Sequence, residues 1–222
     1  MEKNAWFIAG TDTEVGKTRA ACALLHALRA RGLVAVGMKP VAAGTDLSGM
    51  NEDVAALIAA SSFTAPPERV NPYCFADPVA PHLAAREAGV TMCAAPVLAA
   101  LGELGRQADA VVVEGVGGFL VPLADGFDAA DLAVALALPV ILVVGMRLGC
   151  LNHALLTQEA IRARGLPFAG WIANRIDPHM SRFAENLQTL ERRLEAPLLG
   201  TIAHGAEAAE AAGGLKLPDL RA

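Results

Sequence analysis

The chain has 222 residues, of which 54% are apolar and 18% charged, against ~25% charged in a typical soluble domain. That much apolar side chain builds a sizeable core and excludes a disordered polypeptide, while a net charge of −5 and a pI near 5.5 exclude a dedicated nucleic-acid binder. A mean hydropathy of +0.42 raises the membrane question, but the longest uncharged apolar run, Leu132 to Met146, is broken by Pro139 and falls short of the ~18 residues of a spanning helix.

Short apolar runs alternate with helical patterns from end to end. Ala5 to Ala9 reads as a first strand. Lys17 to Arg31 reads as a helix, with Cys22, Leu25 and Leu28 at helical spacing and Gly32 past its end. Leu33 to Met38 is a second strand, Val54 to Ala60 and Pro96 to Gln107 are helices, and Ala110 to Val113 is a fully apolar strand ending at Glu114. The segment from Ser61 to Pro81 carries five prolines and reads as a long loop. Leu132 to Met146 divides into a buried helix end, a turn at Pro139 and the strand Val140 to Val144. Asn152 to Arg164 is a helix, Phe168 to Ala173 a strand, Ser181 to Leu194 a helix and Leu198 to Ile202 a last short strand. Near-continuous apolar strands separated by helices mean a parallel sheet buried on both faces, whose ligands sit at the carboxyl ends of the strands. One domain is expected over 1–222. No basic stretch followed by a long apolar one opens the chain, so no signal peptide is expected. Cys22, Cys74, Cys93 and Cys150 are scattered with no CxxC pair, in keeping with idle thiols in a reducing, cytoplasmic setting. The five histidines lack metal-ligand spacing, so no zinc site is expected.

The strongest chemical signal follows the first strand: Gly10-Thr11-Asp12-Thr13-Glu14-Val15-Gly16-Lys17-Thr18, then a helix. Backbone N–H groups of such a turn point inward and the helix start adds positive potential, so phosphates bind there. Lys17 can reach β- and γ-phosphates and the Thr18 hydroxyl can ligate Mg²⁺. Gly10 and Gly16 bracket five residues instead of the strict four, so Thr11 occupies the first glycine position. The second strand runs into Lys39, which can hold an anionic substrate against the γ-phosphate, or be a solvated surface charge. Glu114, followed by Gly115-Val116-Gly117-Gly118, can hold Mg²⁺ or cap a turn. Asp53 reads equally as a helix N-cap or as a metal ligand. Gly149-Cys150-Leu151-Asn152 is a second possible anion site or an ordinary strand-to-helix turn. In Asn174-Arg175-Ile176-Asp177 the asparagine can pair with a purine, and the spacing is like the guanine-reading N-K-x-D of GTPases.

Taken together these segments resemble the dethiobiotin synthetase family over almost the whole chain. The most specific pieces are GTDTEVGKT (10–18), KPVAAG (39–44), NPYCFADPVAPH (71–82), VVVEGVGG (111–118) and ILVVGMRLGCLNHALLT (141–157). The five-residue gap in the phosphate loop is itself the family's pattern. The resemblance implies an α/β, P-loop NTPase-like fold with a mostly parallel central sheet and helices on both faces. It implies ATP-dependent conversion of 7,8-diaminopelargonate and CO₂ to dethiobiotin, with ADP and phosphate released, through a carbamate and a carbamic-phosphoric anhydride.

The site residues follow from the same resemblance. Lys17 and Lys39 are the catalytic pair. Nucleotide contacts come from Thr13, Glu14, Val15, Gly16, Lys17, Thr18 and Arg19. Further nucleotide contacts come from Glu114, Gly115, Val116 and Gly117, then from Asn174 and Arg175, and near the last strand from Ala203, His204, Gly205 and Glu210. Mg²⁺ is held by Thr18, Asp53 and Glu114. Thr13 and Lys39 meet the carbamate, with Ala43 where the family often has a substrate-contacting serine. Gly149, Cys150, Leu151 and Asn152, helped by Arg147, take the substrate's distant carboxylate from a partner subunit, so a homodimer is implied. Ala203 stands where the family commonly has a proline, which leaves base preference open. The rivals are another ATPase of the same broad class, such as a cobyrinate amidase or a partition ATPase, and a GTP-binding switch.

Overall fold

The computed structural model describes residues 4–220. Strand β1 (Asn4–Gly10) leads through the phosphate loop into helix α1 (Lys17–Ala30), then β2 (Ala35–Met38), β3 (Val41–Ala43), α2 (Glu52–Ala60), α3 (Pro67–Val70), β4 (Tyr73–Phe75) and α4 (Pro81–Glu87). The middle of the chain forms α5 (Ala94–Gln107), β5 (Ala110–Glu114), β6 (Pro122–Ala124), β7 (Phe127–Asp128) and α6 (Ala129–Leu136). It continues with β8 (Val140–Gly145), α7 (Cys150–Ala163), β9 (Phe168–Asn174), α8 (Phe183–Arg193), β10 (Leu198–Ile202) and α9 (Ala208–Ala212).

Six strands make one sheet in the order β10-β9-β8-β1-β5-β2, and every pairing in it is parallel. Parallel strands need crossovers, and these place helices on both faces. Along β1, Trp6 and Ile8 pack into the layer holding Leu24, Leu25 and Leu28 of α1, whereas Phe7 and Ala9 face the opposite layer with Leu104, Ala133 and Ile161. Alternate residues thus enter two separate cores, which is why the strands read as continuous apolar runs. The chain leaves β1 in both directions across the sheet, to β5 and β2 on one side and to β8, β9 and β10 on the other. The crevice at such a reversal point, beyond the strands' carboxyl ends, is where ligands lodge.

Each element expected from the sequence forms, with ends displaced by at most two residues. The stretch Ser61–Pro81 departs from the expected loop: it contains α3 and β4, and its last residue opens α4. Pro67 and Pro81 each occupy the first helical position, where the missing N–H costs nothing, so two of the five prolines start helices. Strand β4 pairs with β3, Val41 beside Tyr73 and Ala43 beside Phe75, and this small ribbon carries chain from 39–44 and 71–78 to the rim of the sheet.

Candidate active site

The phosphate loop is shaped by two close approaches. A Cβ on Gly10 would lie 2.8 Å from Val15 Cγ2 and 3.0 Å from the Asp12 carbonyl oxygen. Gly16 has φ +84°, and a Cβ there would come within 2.0 Å of Asn174 Nδ2, so only glycine fits both the left-handed backbone and the space. Asn174, at the end of β9, donates from Nδ2 to the Val15 carbonyl at 2.8 Å and is fixed against the loop. Its Oδ1 is buried with no protein partner. Lys17 begins α1, is 6% exposed and donates to the Asp12 carbonyl at 3.2 Å. Burial and then the nearby Lys39 charge lower its pKa from 10.5 to about 8.

Beside that loop four side chains converge, from α1, α2, β5 and the turn between β2 and β3. Lys39 Nζ donates to Asp53 Oδ2 at 2.7 Å and to Glu114 Oε1 at 2.5 Å. Thr18 Oγ1 lies 2.7 Å from Asp53 Oδ1 and 2.8 Å from Glu114 Oε1, its one proton available to either. The backbone of Lys39 is held on both sides, its N–H by the Val70 carbonyl at 2.8 Å and its carbonyl by Asn71 Nδ2 at 2.6 Å. Asn51, not Asp53, caps α2: its side chain accepts from the N–H groups of Asp53 and Val54. The Asp53 carboxylate is thereby free to turn into the cluster from the helix's first turn.

The electrostatics follow from burial. Glu114 is 1% and Lys39 3% exposed. Burial pushes the Glu114 carboxyl above its ordinary value in spite of the Lys39 charge. Burial alone would lower Lys39, but Glu114 and Asp53 outweigh it and hold the ammonium charged. Asp53, less buried, is pulled below the usual carboxylate range because Lys39 and the hydrogen bonds overcome its desolvation. Glu114 Oε2 is buried without a donor. Three hard oxygens from Thr18, Asp53 and Glu114, with a spare carboxylate oxygen, make the donor set that magnesium takes; the residues fit such an ion.

These groups line a cavity of about 980 Å³. It brings together Thr13, Glu14, Gly16, Lys17, Thr18 and Arg19 with Lys39, Ala43, Asp53, Glu114, Val116 and Gly117, and, at its other end, Asn174, Arg175 and His204. His204 Nδ1 lies 3.2 Å from the Arg175 carbonyl oxygen. Val15, whose carbonyl accepts from Asn174, stays off the wall, as do Gly115, Ala203, Gly205 and Glu210. Arg147, Gly149, Cys150, Leu151 and Asn152 also lie outside the cavity, at the start of α7, where Cys150 is buried and Asn152 exposed. Asp177 does not line it either; its Oδ1 accepts from the His179 N–H at 2.8 Å. The wall formed by Pro78, Val79, Ala80 and Pro81, with Val121 and Pro122, was not expected from the residues; the NPYCFADPVAPH segment was a signal for its first four residues alone.

Comparison with known proteins bears on family and fold. The family described as AAA domain matches residues 4–211. An ATP-dependent dethiobiotin synthetase BioD from Aromatoleum aromaticum is 62% identical over 98% of this chain and 99% of its own length. The protein of the same name from Xanthomonas axonopodis pv. citri is 53% identical over 98% and 100%. Among solved structures, the septum site-determining protein MinD of Pyrococcus horikoshii superposes with a TM-score of 0.58 at 15% identity, over 96% of this chain and 93% of that one. The cell division protein FtsY of Thermotoga maritima does so at 0.56 and 15%, this chain spanning 94% of itself but only 64% of that protein. The structural likenesses show the fold, that of the P-loop NTPases. With near-full-length relatives above half identity, the chain belongs to the family of ATP-dependent dethiobiotin synthetases, which are ligases.

Proposed function

We propose that the chain, acting as one domain, uses ATP to close 7,8-diaminopelargonate and CO₂ into the cyclic urea of dethiobiotin. The observation that carries this reading is the convergence of Lys39, Asp53, Glu114 and Thr18 beside Lys17 at the carboxyl ends of the strands. A substrate amine takes up CO₂ as a carbamate; a carbamate oxygen attacks the γ-phosphorus and ADP leaves. The second amine then attacks the carbon of the carbamic-phosphoric anhydride, and phosphate departs with the bridging oxygen.

The chain's part is positioning and charge. Carbamate and γ-phosphoryl are both anionic, and their repulsion in a water-poor site is large. Lys17 and the loop N–H groups hold the β- and γ-phosphates, and Lys39, with Thr13, holds the carbamate in line with them. Phosphoryl transfer asks for alignment and charge stabilisation, not for a protein nucleophile. Thr18, Asp53 and Glu114 would hold Mg²⁺, which neutralises charge on the phosphate oxygens. Asn174 and Arg175, with His204, face the base. Ala43, on the cavity wall, offers no hydroxyl to the substrate, leaving that place to water.

Gly149, Cys150, Leu151 and Asn152, with Arg147, take the substrate's carboxylate across a homodimer interface. Leu148 is 95% and Leu156 61% exposed beside this turn, an apolar surface suited to a second copy. No helix of the described residues is long and apolar enough to cross a membrane, and the proposed setting is the cytoplasm. The test is incubation with the diamine, bicarbonate, Mg²⁺ and each nucleoside triphosphate in turn, with mass detection of a cyclic urea. Product with ATP is expected; no urea with any nucleotide would overturn the reading.

A further inference from the structure

The phosphate loop has one residue more than the strict pattern; its first side chain reaches strand β8 and its second reaches Arg147, just past that strand's end. Thr11 donates its N–H to the Val143 carbonyl at 3.0 Å, and its hydroxyl accepts from the Gly145 N–H at 3.3 Å. Asp12 makes three contacts. Its carbonyl accepts from Lys17 Nζ at 3.2 Å, its Oδ1 from the Thr13 N–H at 2.8 Å, and its Oδ2 from Arg147 Nη2 at 2.6 Å. Arg147 makes no other ion pair among the described residues, and its carbonyl accepts the N–H of Cys150, the first residue of α7, at 3.0 Å. Gly149 between them has φ +97°, and no side chain caps the start of α7.

We propose that Asp12 is a positioning residue: through Arg147 it fastens the turn 147–150, and with it the substrate-carboxylate subsite, to the phosphate loop. The inference rests on the placement of the diamine's carboxylate at that turn. Asp12 touches no substrate. It aims the guanidinium, leaving the remaining N–H donors of Arg147 for a carboxylate, and it fixes the orientation of the α7 start. The pair is half exposed, 45% on each side chain, so its contribution is that of a surface ion pair.

Asp12→Asn keeps an acceptor for the Thr13 N–H and removes the charge facing Arg147. It is expected to raise KM for the diamine about two- to fivefold, with kcat and KM for ATP within about twofold and the melting temperature nearly unchanged. Arg147→Ala is expected to raise the same constant at least as much, and the double variant to be no worse than Arg147→Ala alone, because Asp12 acts through the arginine. An unchanged diamine KM in Asp12→Asn, with a raised one in Arg147→Ala, overturns the inference and spares the carboxylate placement. An unchanged constant in Arg147→Ala overturns the placement and the inference together. A double variant that multiplies the two single effects shows independent roles and also overturns it.

Discussion

Replacing Lys39 by methionine removes the ammonium while keeping an unbranched side chain of similar length. The wild-type nitrogen sits 2.7 Å from Asp53 and 2.5 Å from Glu114, and Glu114 is buried with one carboxylate oxygen already lacking a donor. Deleting one partner of a buried pair costs ~3–5 kcal/mol because the other charge stays uncompensated. For a chain of this size that lowers the melting temperature by roughly 6–20 °C at neutral pH. Glu114 escapes part of the penalty by taking up a proton. Its folded-state pKa is already raised above 4.5, and loss of the lysine raises it further. A carboxyl with a raised folded value destabilises as pH rises above its unfolded value, so the difference from wild type narrows as pH falls from 7 towards 5. The double variant Lys39→Met, Glu114→Gln recovers much of the lost melting temperature. Both variants make product ~10²–10³-fold more slowly than wild type, the usual cost of losing a charge aimed at the transferring group. Calorimetric melts from pH 5 to 8 and mass detection of the cyclic urea provide the readouts. A Lys39→Met protein with wild-type melting at neutral pH, or with turnover within about tenfold of wild type, refutes the reasoning.

Other consequences are as specific. Gly16→Ala forces a Cβ into Asn174 and strains a left-handed backbone by ~1–3 kcal/mol; ATP affinity should fall more than tenfold by calorimetric titration, and an unchanged affinity would deny the Gly16–Asn174 fit. Because the Lys17 ammonium titrates near pH 8 in the free protein, ATP binding weakens as pH rises through that value, whereas the free protein's stability gains between about 8 and 10.5, where the unfolded lysine still binds its proton. Titrations at pH 7 and 9 check the first arm and melts from pH 8 to 10.5 the second. Mixing Lys39→Ala protein with an Asn152→Ala variant should restore partial activity if the α7 turn serves the neighbouring subunit; no recovery despite subunit exchange would remove that sharing.

Much of this was legible beforehand because its causes are local. Alternating burial on both sheet faces leaves continuous apolar strands, and Gly-Lys-Thr between a strand and a helix places a phosphate site at the end of β1. Asp53 was ambiguous for a physical reason: as the second residue of α2 it looks like a cap, and only the Asn51 side chain reaching the Asp53 N–H shows which residue has that task. The prolines between 61 and 81 were read as breakers, although proline at the first helical position starts a helix as readily as it ends one. The wall at Pro78–Pro81 and the Asp12–Arg147 link depend on contacts between segments distant in sequence, which no periodicity encodes. The base-site residues near β10 divided: His204 reaches the cavity, while Ala203, Gly205 and Glu210 do not line it.

The central claim is that gathered positive charge lets a carbamate oxygen attack the γ-phosphorus. Its most direct measurement is the fate of oxygen from ¹⁸O-labelled bicarbonate during a rapid single turnover with ATP and the diamine. Direct attack, followed by ring closure that breaks the carbon–oxygen bond, carries label from the carbamate into the released phosphate. Phosphate free of label, with dethiobiotin still formed, would contradict it.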